Sequence, residues 1–227
     1  MTEQFKTNTD ENYFLKAEGL TMHFPAASDA LGRPTSWIHA ADDVSFAVPK
    51  GKTLGVVGES GCGKSTVGKM LLDIYRPTSG KIFYEGKDIT ALSPKERRPY
   101  VKKMQLVWQD PYSSLDPRLR AGDIIAEPID NFRLAANRAE RAEKVERLMQ
   151  MCGLYPEMAT HYPHQFSGGQ RQRICIARAL ATDPEFVVCD EAVSALDVSI
   201  QAQIINLLKD LQDELRLSYL FISHDLN

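Results

Sequence analysis

At 227 residues, with 43% hydrophobic and 25% charged residues, the chain has the apolar content for a sizeable folded core, which excludes disorder as the default. A net charge of −3 and a pI near 6.0 give no electrostatic footing for nucleic acid or for an anionic membrane surface. Four scattered cysteines without a C-x-x-C pair fit reduced thiols of a cytoplasmic protein, and no run approaches the ~18 apolar residues that span a bilayer, so work at a membrane would go through a partner.

In chain order, residues 1–12 are polar, and "MTEQFKTNTDENYF" lacks the basic-then-apolar pattern of a signal peptide. The segments "FLKAEGLTMHF" and "HAADDVSFAV" read as strands separated by a loop, "PAASDALGRPTSW". The run "TLGVVG" reads as a buried strand that meets glycines and then a helix, "KSTVGKMLLDIY". A hairpin over "GKIFYEGKDI" and a buried strand, "MQLVWQD", follow. From Pro111 to His164 the pattern turns helical, in "AGDIIAEPI" and "ANRAERAEKVERLMQMCGL", with Pro111, Pro117, Pro128, Pro156 and Pro163 as expected breakers. Then come a helix at "QRICIARAL", a buried strand at "EFVVCDE", an amphipathic helix at "VSIQAQIINLLKDLQDEL" and a last strand at "SYLFIS". Alternating strands and helices around a helical stretch predict an α/β fold with a mostly parallel sheet and a helical insertion.

Gly58 and Gly63-Lys64-Ser65 satisfy G-x-x-x-x-G-K-[ST] directly after a strand and at the start of a helix, the context of a phosphate-binding loop. Glycines let backbone N–H groups converge on an anion, and the helix N-terminus adds its positive dipole end. Lys64 would reach the β- and γ-phosphates of a nucleotide, and the Ser65 hydroxyl would hold Mg²⁺. At the end of "FVVCDE", Asp190 would complete the Mg²⁺ shell and Glu191 would polarise the attacking water; in isolation a helix cap or a surface turn would be the better reading of the pair. Gln109 and His224 also follow buried strands, where open α/β sheets bind ligands. Gln109 could touch Mg²⁺ and the lytic water, and His224 the γ-phosphate. A second glycine-rich stretch, Ser167-Gly168-Gly169-Gln170, precedes another helix and makes a second anion site with no obvious use inside one chain.

The stretch "FSGGQRQR" resembles the signature motif of ATP-binding cassette (ABC) transporter ATPases. The phosphate loop, Gln109, "VVCDE", "SALD" (Ser194–Asp197) and "SHD" (Ser223–Asp225) match that family's other motifs in order, over nearly the whole chain. The resemblance implies a P-loop NTPase core with an N-terminal antiparallel β part and an inserted α-helical subdomain. Its parts would be residues 1–109 and 178–227 for the core and 110–177 for the helical subdomain. It also implies ATP and Mg²⁺ as substrate and cofactor, with Gly58, Glu59, Ser60, Gly61, Cys62, Gly63, Lys64, Ser65 and Thr66 around the phosphates. Two such domains would face head to tail, each signature Ser167-Gly168-Gly169-Gln170 acting on the partner's ATP and Asp197 lying at the seam. The helical region would contact two transmembrane permease subunits, with a solute-binding protein acting indirectly and the chain sitting peripherally on the cytoplasmic side of the inner membrane. The phrases "VWQDPYSSLDPR" and "YPHQFSGGQRQRICIARAL" are similar to the dipeptide, oligopeptide and nickel importer branch, close to glutathione importers. Phe24 corresponds to the adenine-stacking aromatic, with a core role as the alternative and Trp37 as a rival. A soluble, non-transport ABC ATPase is the distant alternative. Two departures stand out: Ala192 replaces the usual proline after the glutamate, and branch members normally continue beyond the position of Asn227. No iron–sulfur cluster is inferred.

Overall fold

The computed structural model describes residues 13–28 and 34–224. In chain order its elements are strands β1 (Tyr13–Ser28), β2 (Pro34–Pro49) and β3 (Thr53–Val57), helix α1 (Lys64–Leu71), strands β4 (Ser79–Tyr84) and β5 (Lys87–Asp88) and helix α2 (Pro94–Lys103). There follow β6 (Met104–Val107), α3 (Ala121–Phe132), α4 (Arg138–Met151), α5 (Gly168–Leu180), β7 (Phe186–Asp190), α6 (Val198–Leu215) and β8 (Ser218–Ser223). One sheet, in the order β2-β1-β4-β5, is antiparallel. The other, in the order β3-β8-β7-β6, is parallel throughout.

Side-chain alternation along the parallel strands divides the core in two. Phe186, Val188, Leu220 and Ile222 point to one face and pack with Leu15, Met70, Leu71 and Ile82, so α1 and the antiparallel sheet cover that side. Val187, Cys189 and Tyr219 point to the other face and pack with Ile125, Met149, Ile176 and Ile204 of the helices. Both faces are buried, which is why these strands read as continuous apolar runs. The helical region thus shares a core with the sheet, and α5 continues through residue 177 to Leu180.

Two sequence-based expectations need correction, and one element was not foreseen. The loop over "PAASDALGRPTSW" is largely strand: β1 runs to Ser28 and β2 starts at Pro34, with Phe24 opposite Ile38 and Pro25 opposite Trp37. Proline is tolerated there because β2 is a sheet edge and the β1–β2 ladder is broken by repeated register shifts. Pro128 lies inside α3 and does not end it; it removes one helix hydrogen bond that packing against the core outweighs. Helix α2 was not expected, although its start is written in Ser93-Pro94-Lys95-Glu96. The Ser93 hydroxyl accepts from Glu96 N, the Glu96 carboxylate accepts from Ser93 N, and Pro94 occupies the first turn. The helix buries Arg97, whose guanidinium donates to the carbonyl oxygens of Ile89 and Leu71. Ser93→Ala should lower stability by about 1 kcal/mol, read as a drop in thermal midpoint with nucleotide absent.

Candidate active site

Strand β3 delivers the chain to Gly58, and residues 58–63 turn into α1. Gly61 (φ +81°) and Gly63 (φ +96°) both take the left-handed conformation. A Cβ on Gly63 would stand 1.9 Å from the Ala40 carbonyl oxygen, so glycine is what lets β2 lie against the loop. Lys64 is buried, and its ammonium donates to the carbonyl oxygens of Gly58 at 2.6 Å and Glu59 at 2.7 Å. The thiol of Cys62 lies 3.8 Å from the same nitrogen. The Ser65 hydroxyl donates to Asp190 Oδ1 at 2.7 Å, tying α1 to the end of β7.

Beyond the loop, adjacent strands β6, β7 and β8 carry Gln109, Glu191 and His224 just past their C-terminal ends. Glu191 is only 6% exposed and takes a left-handed turn (φ +49°), with its N–H donating to the Ile222 carbonyl at 3.0 Å. Its carboxylate is held on both sides: Gln109 Nε2 donates to Oε2 at 2.5 Å, and His224 Nε2 lies 2.5 Å from Oε1. These three side chains close one end of a cavity of about 270 Å³. Ser60, Gly61, Gly63, Lys64, Ser65 and Thr66 form its loop side, and Ile38, His39 and Ala40 of β2 form a further wall. Convergent N–H groups, one ammonium and a helix N-terminus on one side, and a fixed carboxylate on the other, suit a polyphosphate and a water aimed at its end.

Magnesium prefers hard oxygen ligands and binds through one or two carboxylates, with waters and phosphate oxygens completing its shell. Ser65 and Asp190 already present hydroxyl and carboxylate oxygens in contact, so the residues fit. Gln109 lines the same cavity and a second cavity that also contains Ser65 and Asp190.

The second glycine stretch is not a free turn. Ser167 is the N-cap of α5, and Gly168 and Gly169 form its first turn. Ser167 Oγ accepts from Gln170 N at 3.3 Å, and Gln170 Oε1 accepts from Ser167 N at 2.9 Å. This reciprocal cap leaves the N–H groups of Gly168 and Gly169 without intrahelical acceptors. A Cβ on Gly169 would come within 2.6 Å of Ile200 Cγ2, which explains the small residue. None of these four residues lines the phosphate cavity. Asp197 is exposed at the N-cap of α6, and its side chain makes no capping bond. Phe24 packs edge-on against Tyr75 with centroids 5.2 Å apart, away from the cavity lining, while Trp37 is half-exposed. Asp225 lies outside the described residues. Sequence reasoning missed Ile38, His39 and Ala40 as cavity wall, because nothing in a strand's alternation marks which strand will face a ligand.

The family model described as ABC transporter matches residues 41–194. The chain is 50% identical over 222 residues to the oligopeptide transport ATP-binding protein AppF of Bacillus subtilis, covering 97% of this chain and 67% of that protein. It is 53% identical over 195 residues to the oligopeptide transport ATP-binding protein OppF of Bacillus subtilis, covering 86% and 64% respectively. It is also 50% identical over 228 residues to the dipeptide transport ATP-binding protein DppF of Haemophilus influenzae, covering 100% and 68%. The chain therefore spans roughly two thirds of the length of these curated relatives. Among solved structures, the ATP-binding cassette MJ0796, in a dimeric post-hydrolysis state bound to ADP and Pi, superposes with TM-score 0.81 at 29% identity, covering 94% of this chain and 89% of that one. No helix among the described residues is long and apolar enough to cross a membrane. By its matched model, its relatives and its cassette fold, the chain belongs to the ABC transporter family, among the ATP-binding proteins of the oligopeptide and dipeptide branch.

Proposed function

We propose that this chain is the ATP-hydrolysing subunit of an ABC importer, powering uptake of dipeptides or oligopeptides from the cytoplasmic face of the membrane. The observation that carries the hydrolytic part is the Glu191 carboxylate fixed between Gln109 and His224 at the end of the phosphate cavity. Lys64 and the loop N–H groups hold the phosphates; Ser65, Asp190 and Gln109 would hold Mg²⁺, which would neutralise phosphate charge. Phe24 is the candidate for the adenine by resemblance, with Trp37 as its rival, since Phe24 packs against Tyr75 and is not part of the phosphate-cavity lining. As the water oxygen attacks the γ-phosphorus and the bond to the β–γ bridging oxygen breaks, Glu191 takes the water's proton. His224 donates to the γ-phosphate, and withdrawal of Gln109 from Oε2 frees that oxygen for the water.

Ser167, Gly168, Gly169 and Gln170 act on ATP held by a second cassette, with Asp197 at the seam. The two N–H groups at the start of α5, outside this chain's own phosphate cavity, support that reading. The helical subdomain, residues 110–177, docks on permease subunits, to which an external solute-binding protein delivers the solute. Relatives named glutathione import ATP-binding proteins, 50% identical over 97% of this chain, favour a second reading in which the solute is glutathione.

Ser167→Arg should abolish ATP-dependent dimer formation, seen by sizing in a Glu191→Gln background, while ADP affinity of the monomer stays within about twofold of the parent. Normal dimerisation of this variant would remove the signature from the second site. The solute is tested by co-purifying the protein with its permease subunits and measuring which solute, bound to its binding protein, accelerates ATP turnover. Stimulation by glutathione and not by peptides would select the second reading.

A further inference from the structure

The wall contributed by β2 carries a residue that the phosphate-loop pattern does not contain. His39 stands opposite His23 of β1 in the antiparallel register, with ring centroids 4.0 Å apart and planes inclined at 41°. The strand is pinned at this point, since the Ala40 carbonyl occupies the space a Gly63 side chain would need. His39 therefore meets the same 270 Å³ cavity as Gly61, Gly63, Lys64 and Thr66. On the other side of the pair, His23 Nε2 is buried with no hydrogen-bond partner among the described residues. The His23 backbone N–H is tied to Thr78 Oγ1 at 3.0 Å, so the ring beneath His39 sits on fixed backbone.

We propose that His39 is a direct ligand of the nucleotide's phosphate chain, reaching it from β2, with His23 as the residue that positions its ring; this rests on the reading of the cavity as the nucleotide site. The charge balance of the cavity argues for such a group. Among the described residues its one permanent cation is Lys64, whose ammonium is spread over two loop carbonyls, while Glu191 places a carboxylate at the far end beside His224. A nucleoside polyphosphate brings several negative charges, and an imidazole N–H supplies a further donor, charge-assisted when the ring is protonated. Anchoring by a packed cross-strand partner spares the entropy that a free surface side chain would lose on binding.

The test measures ADP affinity by calorimetry on the full chain carrying His39→Lys, His39→Gln or His39→Glu, with thermal midpoints taken in the absence of nucleotide. Lysine should bind ADP as tightly as the parent or more tightly, glutamine about threefold more weakly, and glutamate about tenfold or more weakly, with a smaller spread for AMP. His23→Leu should weaken ADP binding by about twofold in the parent and have no effect in a His39→Ala background, since its action passes through His39. Equal ADP affinity across the three His39 variants would overturn the contact. Equal weakening in all three, lysine included, together with a lowered midpoint, would overturn it in favour of a role in folding alone. Failure of the parent to bind ADP at all would instead sink the nucleotide reading, and this contact with it.

Discussion

Glu191→Gln should cut steady-state ATP turnover by about 10²- to 10³-fold, the usual worth of a positioned general base, while leaving nucleotide binding near that of the parent. The separation follows from how the side chain is held. Gln109 donates to one carboxylate oxygen and His224 meets the other, each at 2.5 Å. A glutamine at 191 keeps both contacts if its amide oxygen faces Gln109 and its NH₂ faces an unprotonated His224 nitrogen, so the pocket wall survives. The phosphate loop, whose contacts run through Lys64 and Ser65, is untouched. What disappears is the acceptor for the water's proton. The same loss should make an ATP-loaded dimer accumulate, because closure is uncoupled from hydrolysis. Turnover and calorimetric affinity measured on one preparation check it, and a turnover within about threefold of the parent would remove Glu191 from the role of base.

The parts of this site that were legible in the sequence are those whose geometry is local. The spacing from Gly58 to Ser65 fixes a loop and the first turn of a helix within eight residues, so the pattern and the structure coincide. The parallel strands were legible because burial on both faces leaves an uninterrupted apolar run. Gln109 and His224 were legible only as polar residues after such runs; their meeting at one carboxylate depends on the strand order β8-β7-β6, which no local pattern encodes. Elsewhere local signals misled. Pro25 and Pro34 read as loop, yet the edge position of β2 and the irregular register let the hairpin continue past them. The reverse happened in α2, where a low content of apolar residues hid a helix whose Ser93–Glu96 cap was plainly spelled. His39 was invisible for a third reason: one residue on a strand becomes a cavity wall only through the approach of that strand to Gly63, where the Ala40 carbonyl meets the loop across 23 positions.

That approach makes Gly63→Ala the substitution with the largest expected effect on binding. Two separate penalties apply. A φ of +96° is strained for any residue with a Cβ, at a cost of about 1–3 kcal/mol. The added carbon would also stand 1.9 Å from the Ala40 carbonyl oxygen, and because the obstacle is backbone, β2 or the loop has to move. Either movement opens the wall formed by Ile38, His39 and Ala40 or withdraws the N–H groups from the phosphates. Gly61→Ala serves as the internal reference: its φ of +81° carries comparable strain, but nothing lies within 4 Å of the new Cβ. ADP affinity should therefore fall by about 10²-fold or more in Gly63→Ala and by about tenfold or less in Gly61→Ala, a gap of about 1.4 kcal/mol or more assignable to the clash alone. The thermal midpoint should drop further in the first variant as well. Similar losses in both would mean that strand and loop part freely, and that the cavity wall is not built by their contact.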